Sequence, residues 1–309
     1  MKNKFPGGVW PVMLTPFTDR DAVDEPALAA LTNWYIDRGV NGLFAVCQSS
    51  EMFYLSLEER VETAKAVVSA AAGRVPVIAS GHVSDAMEDQ IAELSAMAQT
   101  GVQALILITN RMAGADEPDE TWRERTQALM DALPSEMPLG LYECPFPYKR
   151  LVSTENLAWA AGTGRFLFMK DTCCDAALLR ERAEIMAGTP MKLYNANSTT
   201  LLDSLKSGAA GYSGVMANFH PALYAWLCAH PHDPEAGRVS DFLSIASLIE
   251  RQCYPVNAKY HLSAVEGLPM TIRCRTRDAG ELIEAFRAEV EALHRLAQST
   301  KNFKAEALK

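Results

Sequence analysis

The chain has 309 residues, of which 49% are hydrophobic and 22% charged, the balance of a globular protein with a large core. That balance excludes whole-chain disorder, collagen-like repeats and coiled coil. The formal net charge of −9 argues against a nucleic-acid partner, and no apolar run approaches the roughly 18 residues that span a bilayer.

Read from the start, residues 1–10 lack the apolar stretch of a secretory signal. The first short apolar run, residues 9–14, reads as a strand, followed by an amphipathic helix over 25–38 with Leu28, Leu31, Trp34, Tyr35 and Ile36 on or near one face. A strand over 42–46 precedes a helix over 57–72, which opens on the capping box Ser56-x-x-Glu59. Strand 75–79 leads to a helix over 85–100 that stops at Gly101. Strands follow over 104–108, 139–142, 166–170, 192–195 and 211–215, with helices over 153–161, 175–187 and 199–207 between the later ones. Eight strand-then-helix units predict a (β/α)8 TIM barrel, here residues 1–230. The competing doubly wound sheet needs a Gly-rich turn after an early strand, and Gly7-Gly8 precedes one instead. Residues 231–309, with helices expected over 241–252, 256–265 and 278–298, form a C-terminal helical extension packed on the barrel as one structural unit.

Seven cysteines, an odd number with no C-x-x-C and no disulfide-rich spacing, fit a reducing, cytoplasmic setting. Cys173-Cys174 reads as packing. His230-x-His232 lacks the further ligands of a metal site, and His82 reads as structural. Arg273, Arg275 and Arg277 read as a solvated loop or strand edge.

In a barrel, chemistry sits at the C-terminal ends of the strands. Those ends present Thr15 after strand 1, Gln48-Ser49-Ser50 after strand 2, Arg111 after strand 4, Tyr142 on strand 5, Lys170 with Thr172 on strand 6, Asn197-Ser198 after strand 7 and Ser213 on strand 8. Lys170 closes the apolar run Phe166-Leu-Phe-Met169. Burial there lowers a lysine's pKa and makes it a nucleophile toward carbonyls; the plain alternative is a snorkelling lysine or one paired with Asp171. Tyr142, one unit earlier, can shuttle a proton, or simply be a core tyrosine. Ser49 and Ser50 lie in a polar turn suited to a carboxylate, or to no ligand at all.

Five segments, in order, together resemble the dihydrodipicolinate synthase / N-acetylneuraminate lyase family of Schiff-base aldolases. They are Leu14-Thr-Pro-Phe17, Cys47-Gln-Ser-Ser-Glu51 with Leu55-Ser-Leu-Glu-Glu-Arg60, Leu141-Tyr-Glu-Cys-Pro145, Met169-Lys-Asp-Thr172 and Gly211-Tyr-Ser-Gly-Val-Met-Ala-Asn218. The resemblance implies a class I lyase on a 2-keto acid, releasing or using pyruvate, with Lys170 forming the imine and Tyr142 relaying protons. It implies substrate contacts from Thr15, Gln48, Ser49, Ser50, Arg111, Thr172, Asn197, Ser198 and Ser213. It also implies no metal or organic cofactor, and a homotetramer or homodimer.

The departures bear on the substrate. Cys47 and Ser50 stand where the family's strand 2 loop has glycines, and Gln48 stands at its first hydroxyl position. Pro147 occupies the place of the arginine that grips the second carboxylate in dihydrodipicolinate synthases. Thr109-Asn110-Arg111 replaces their tyrosine pair, and Ala196-Asn197-Ser198 lacks the acidic residues of sialic-acid lyases. A lyase for another 2-keto acid, hydroxylated or aromatic, is the reading that remains, with Arg111 available to a distal carboxylate. The alternatives are dihydrodipicolinate synthase itself and a catalytically silent 2-keto-acid binder.

Overall fold

In the computed structural model, which describes residues 5–307, eight parallel strands run in the order β1-β8-β7-β6-β5-β4-β3-β2. They are β1 (Gly8–Val9), β2 (Leu43–Phe44), β3 (Val77–Ala79), β4 (Ala104–Ile108), β5 (Leu139–Tyr142), β6 (Phe166–Asp171), β7 (Lys192–Asn195) and β8 (Gly211–Tyr212). A parallel bridge from Val12 to Phe44 joins the first strand's extension to β2 and closes the barrel. The ladder of β1 is shorter than residues 9–14 because Pro11 has no N–H to give it. At the β1–β8 seam the backbones come so close that a Cβ on Gly211 would lie 1.8 Å from the Gly8 carbonyl oxygen, so only glycine fits.

The helices alternate with the strands. α1 (Glu25–Asp37) is capped by Asp24 and buries Leu28, Leu31, Trp34 and Tyr35. α2 (Leu57–Ala71) opens on the expected capping box: the Ser56 hydroxyl accepts from Glu59 N, and Glu59 Oε2 accepts from Ser56 N. α3 (Met87–Ala98) ends before Gly101, whose φ of +90° lies in the left-handed region. α4 (Thr109–Met112) and α5 (Asp119–Ala132) follow β4. α6 (Thr154–Gly162), α7 (Ala176–Met186), α8 (Leu201–Lys206) and α9 (Pro221–Ala229) complete the ring.

The extension comprises α10 (Ala236–Ala246), α11 (Val256–Tyr260) and α12 (Glu284–Ala307). The expected helix over 241–252 is thus displaced, its second half a tight 3-10 turn over Ser247–Arg251. No helix among the described residues is long and apolar enough to cross a membrane.

The barrel interior is packed with aromatic rings. Phe168 stacks on Tyr194 with centroids 4.2 Å apart, and Trp10 and Phe44 meet Phe168 edge-on. This plug fills the base of the barrel and leaves the C-terminal mouth open.

Candidate active site

Strand register brings the first two side chains together. Tyr142 and Lys170 are directly paired on β5 and β6, so both leave the sheet toward the interior. Lys170 Nζ lies 4.0 Å from the centroid of the Tyr142 ring. Both residues are buried. Among the described residues no ion pair reaches Lys170. Its sequence neighbour Asp171 faces away, as alternation requires, and pairs with Arg182.

Burial brings the Lys170 pKa down to about 8, against the opposing influence of the Cys47 and Cys144 thiols and of Glu250. The Tyr142 phenol moves the other way, well above the ordinary tyrosine value, through burial and then the Cys144 and Cys47 thiols beside it. It stays protonated and can donate.

Both line a cavity of 610 Å³ at the strand ends, as do Gln48, Ser49, Thr172 and Asn197. Gln48 Oε1 lies 3.4 Å from Cys144 Sγ. Thr172 gives its hydroxyl proton to the Glu143 carbonyl, so toward the cavity it can only accept. Asn197 caps the start of the next turn by accepting from Thr200 N at 3.0 Å.

Five expected contact residues lie elsewhere, each for a tertiary reason. Ser50 folds back on its own turn: its Oγ accepts from Cys47 N at 2.7 Å and donates to Cys47 O at 2.6 Å. Thr15 donates to the Ser50 carbonyl, bracing the turn from below. Ser213 donates to Trp10 O across the β1–β8 seam. Ser198 meets the Tyr224 hydroxyl at 2.6 Å in a buried stack of Tyr212 on Tyr224. Arg111 pairs with Asp85 and lies over Phe53, outside the cavity wall.

Beneath the strand ends lies a second charged group. Glu143 and Asp171 flank Arg182, all fully buried, with Arg182 Nη2 2.8 Å from Glu143 Oε1. Glu143 also accepts from Val152 N and Thr172 N, and Arg182 donates to Val152 O. Burial and the neighbouring Asp171 charge raise the Glu143 pKa against the pull of Arg182. This triad ties α7 to the ends of β5 and β6 and aims Tyr142 and Lys170.

Several cavity residues were not foreseen. Phe53, Tyr54 and Phe146 form an aromatic wall, with the rings of Phe53 and Phe146 4.8 Å apart. The extension contributes Glu250, Arg251, Tyr254 and Arg277. Glu250 is exposed at the rim, yet the protein mass around it raises its pKa, with Arg251 and Lys170 acting in opposition. The extension is held to the strand 2 loop by a buried pair, Lys259 Nζ to Glu51 Oε1 at 2.8 Å. Glu51 Oε2 accepts further from Arg275 N and Thr276 N. Glu51 thus anchors the mouth of the barrel from a left-handed backbone conformation, φ +62°.

Arg273 and Arg277 are exposed, as expected of a solvated loop, whereas Arg275 is only partly so. Arg275 grips both oxygens of Glu59, and Arg273 pairs with Asp21. His82 is buried; its Nε2 accepts from Ile108 N and its Nδ1 faces Gln90 Oε1, and burial takes its pKa to about 4, so it is a neutral strut. His261, Glu266 and His294 offer ligand atoms within 4.8 Å of one another. Arg38 and the Trp34 indole N–H already occupy Glu266, and His261 Nε2 engages Phe219 O.

Known proteins share this whole framework. The sequence profile described as the dihydrodipicolinate synthetase family matches residues 5–288. A 4-hydroxy-tetrahydrodipicolinate synthase of Thioalkalivibrio sulfidiphilus is 25% identical over 286 residues, covering 91% of this chain and 94% of that one. A dihydrodipicolinate synthase of Bacillus anthracis superposes with a TM-score of 0.84 at 22% identity, covering 96% of this chain and 99% of its own. The chloride-inhibited enzyme of Acinetobacter baumannii, solved with pyruvate, does so with a TM-score of 0.84 at 23% identity, covering 94% and 99%.

Proposed function

The chain belongs to the dihydrodipicolinate synthetase family, and from that premise we propose that Lys170 and Tyr142 carry out its chemistry. The protein is a lyase of the Schiff-base class acting on a 2-keto acid. One observation supports the assignment above the others: a buried lysine at the cavity, with no carboxylate partner among the described residues, beside a protonated phenol.

The Lys170 amine adds to the C2 carbonyl of the keto acid. Tyr142 delivers a proton to the carbinolamine oxygen, water leaves, and an iminium remains. Its positive nitrogen accepts the electron pair when a bond at C3 breaks. When the Tyr142 phenolate takes the proton of the C4 hydroxyl, cleavage of C3–C4 releases an aldehyde and leaves the enamine of pyruvate; loss of a C4 hydroxyl as water after C3 deprotonation gives dehydration instead. Protonation of the enamine and attack of water return the keto acid and the free lysine. Ser49 receives the substrate carboxylate.

For the substrate, the aromatic wall of Phe53, Tyr54 and Phe146 supports a tail that is aromatic or hydroxylated. Asn110 spends its amide on the carbonyls of Cys144, Phe146 and Tyr148, which supports a site without the relay of a dihydrodipicolinate synthase. The condensation of pyruvate with aspartate semialdehyde is the second reading, favoured by Lys149, which brings a cation to the cavity wall. In both readings the enzyme works in the cytoplasm as a homotetramer or homodimer. Exposed Ile245, Leu248 and Leu296 offer apolar surface for the contact, and sedimentation of a monomer would remove that part.

The deciding experiment is reductive trapping with pyruvate and a panel of 2-keto acids, followed by peptide mapping. The adduct is expected on Lys170, and Lys170→Ala should show neither adduct nor turnover. An adduct on another lysine, or none with any keto acid, removes Lys170 from the chemistry. Turnover of aspartate semialdehyde at about 10⁴ M⁻¹s⁻¹ or more would select the second reading.

A further inference from the structure

Tyr254 comes from the extension, yet its phenol enters the barrel mouth and lines the same cavity as Lys170 and Ser49. Among the described residues, its hydroxyl takes one hydrogen bond. Asn218 Nδ2 approaches it at 3.2 Å and also donates to the carbonyls of Val12 and Val215. Those two carbonyl contacts fix the nitrogen end of the amide, and Asn218 Oδ1 is taken by the Tyr35 hydroxyl. The Tyr254 oxygen is therefore an acceptor toward Asn218, and its own proton must point elsewhere. On its open side the phenol borders the cavity that Ser49 also lines. Tyr142 lines the same cavity.

Beyond the hydroxyl and backbone N–H of Ser49, the strand 2 turn has little to offer an anion. The Ser50 hydroxyl is closed back on Cys47, and the Ser50 and Glu51 N–H groups bond within the turn. A carboxylate seated beside Ser49 thus meets the serine hydroxyl and N–H and one phenol whose proton is not spent on Asn218. We propose that Tyr254 is a substrate-binding residue that donates its O–H to the carboxylate of the 2-keto acid beside Ser49, a role that rests on imine formation at Lys170. The extension thereby completes the binding site, and a hydrogen bond from outside the barrel strengthens a turn in which serine has replaced glycine.

The test compares pyruvate with its methyl ester, which keeps the reactive ketone and removes the negative charge. Trapping of the Lys170 adduct with cyanoborohydride is followed against ligand concentration in wild type and Tyr254→Phe. A lost hydrogen bond to a charged group should raise the half-saturating pyruvate concentration about 10- to 100-fold. The ester should shift by no more than about threefold, and adduct at saturating pyruvate should reach the wild-type level. Tyr254→Phe removes one oxygen and leaves Asn218 its two carbonyl partners, so the fold is expected to survive; the ester also reports an intact site independently. An unchanged pyruvate dependence, or equal shifts for both ligands, overturns the role of Tyr254 while leaving Lys170 in place. A wild-type protein that traps neither ligand overturns the imine reading and this inference with it.

Discussion

Residues 142–143 and 170–171 are two consecutive pairs on neighbouring strands, and alternation sends one member of each pair to either side of the sheet. On the inner side, Tyr142 and Lys170 share a cavity, and among the described residues no counter-charge lies in ion-pair reach of Lys170. On the outer side, Glu143 and Asp171 share Arg182, and their remaining lone pairs accept from Val152, Thr172 and Cys173 N–H groups. Both sides bury charge, but only one neutralises it. A buried charge with its partners present holds backbone in place. A buried amine without them is pushed toward its neutral form, which is the form that attacks a carbonyl.

The outer side can be broken first. Arg182→Met leaves two buried carboxylates facing each other without a cation, a loss of about 3–5 kcal/mol on the scale of severed buried pairs. Denaturant titration should show the midpoint falling, and residual activity should fall with the folded fraction. A variant of wild-type stability would mean that the triad does not hold the strand ends. The inner side should respond in the opposite manner. Tyr142→Phe should keep the unfolding midpoint and slow turnover by about 10²–10⁴, the range for a positioned acid–base group. Near wild-type kcat would remove Tyr142 from the proton path.

The same contrast explains what was legible in the sequence. Strand-phase positions were readable because apolar runs and turn residues mark them, and β4 to β7 fall close to the expected residues. Lys170 and Tyr142 were readable for the same reason: the end of a buried strand is a place that sequence can point to. Hydroxyl partners were not. Thr15, Ser50, Ser198 and Ser213 sit at the right strand ends, yet each hydroxyl is engaged with a neighbour that only the closed barrel supplies. Arg111 shows the same for charge, since Asp85 lies 26 residues away. Tyr254 and Glu250 were invisible because helical periodicity in the extension shows which face is apolar, not which residue at a turn reaches another element's cavity. The one available signal was Glu51, a carboxylate in a loop otherwise made for small polar residues, whose partner Lys259 had to come from somewhere.

The smallest expected effect is the most direct measure of the inner side. Lys170 has a folded-state pKa of about 8 against an ordinary value of 10.5. Below about pH 8 the folded protein holds a buried ammonium, and imine formation draws on a free-amine fraction that falls about tenfold per pH unit. Adduct formation with pyruvate at low concentration should therefore rise through pH 7 and level off above about pH 8–9. The stability consequence has a definite sign. Between about pH 8 and 10.5 the unfolded chain carries a proton on this lysine that the folded chain has lost, so the unfolded state binds more protons and stability rises with pH through that window. Lys170→Met has no such group. The wild-type midpoint, measured relative to the variant, should climb across the window and stay flat below it. A difference that is flat throughout would mean that Lys170 keeps an ordinary ammonium, and the contrast between the two sides of the sheet would lose its electrostatic basis.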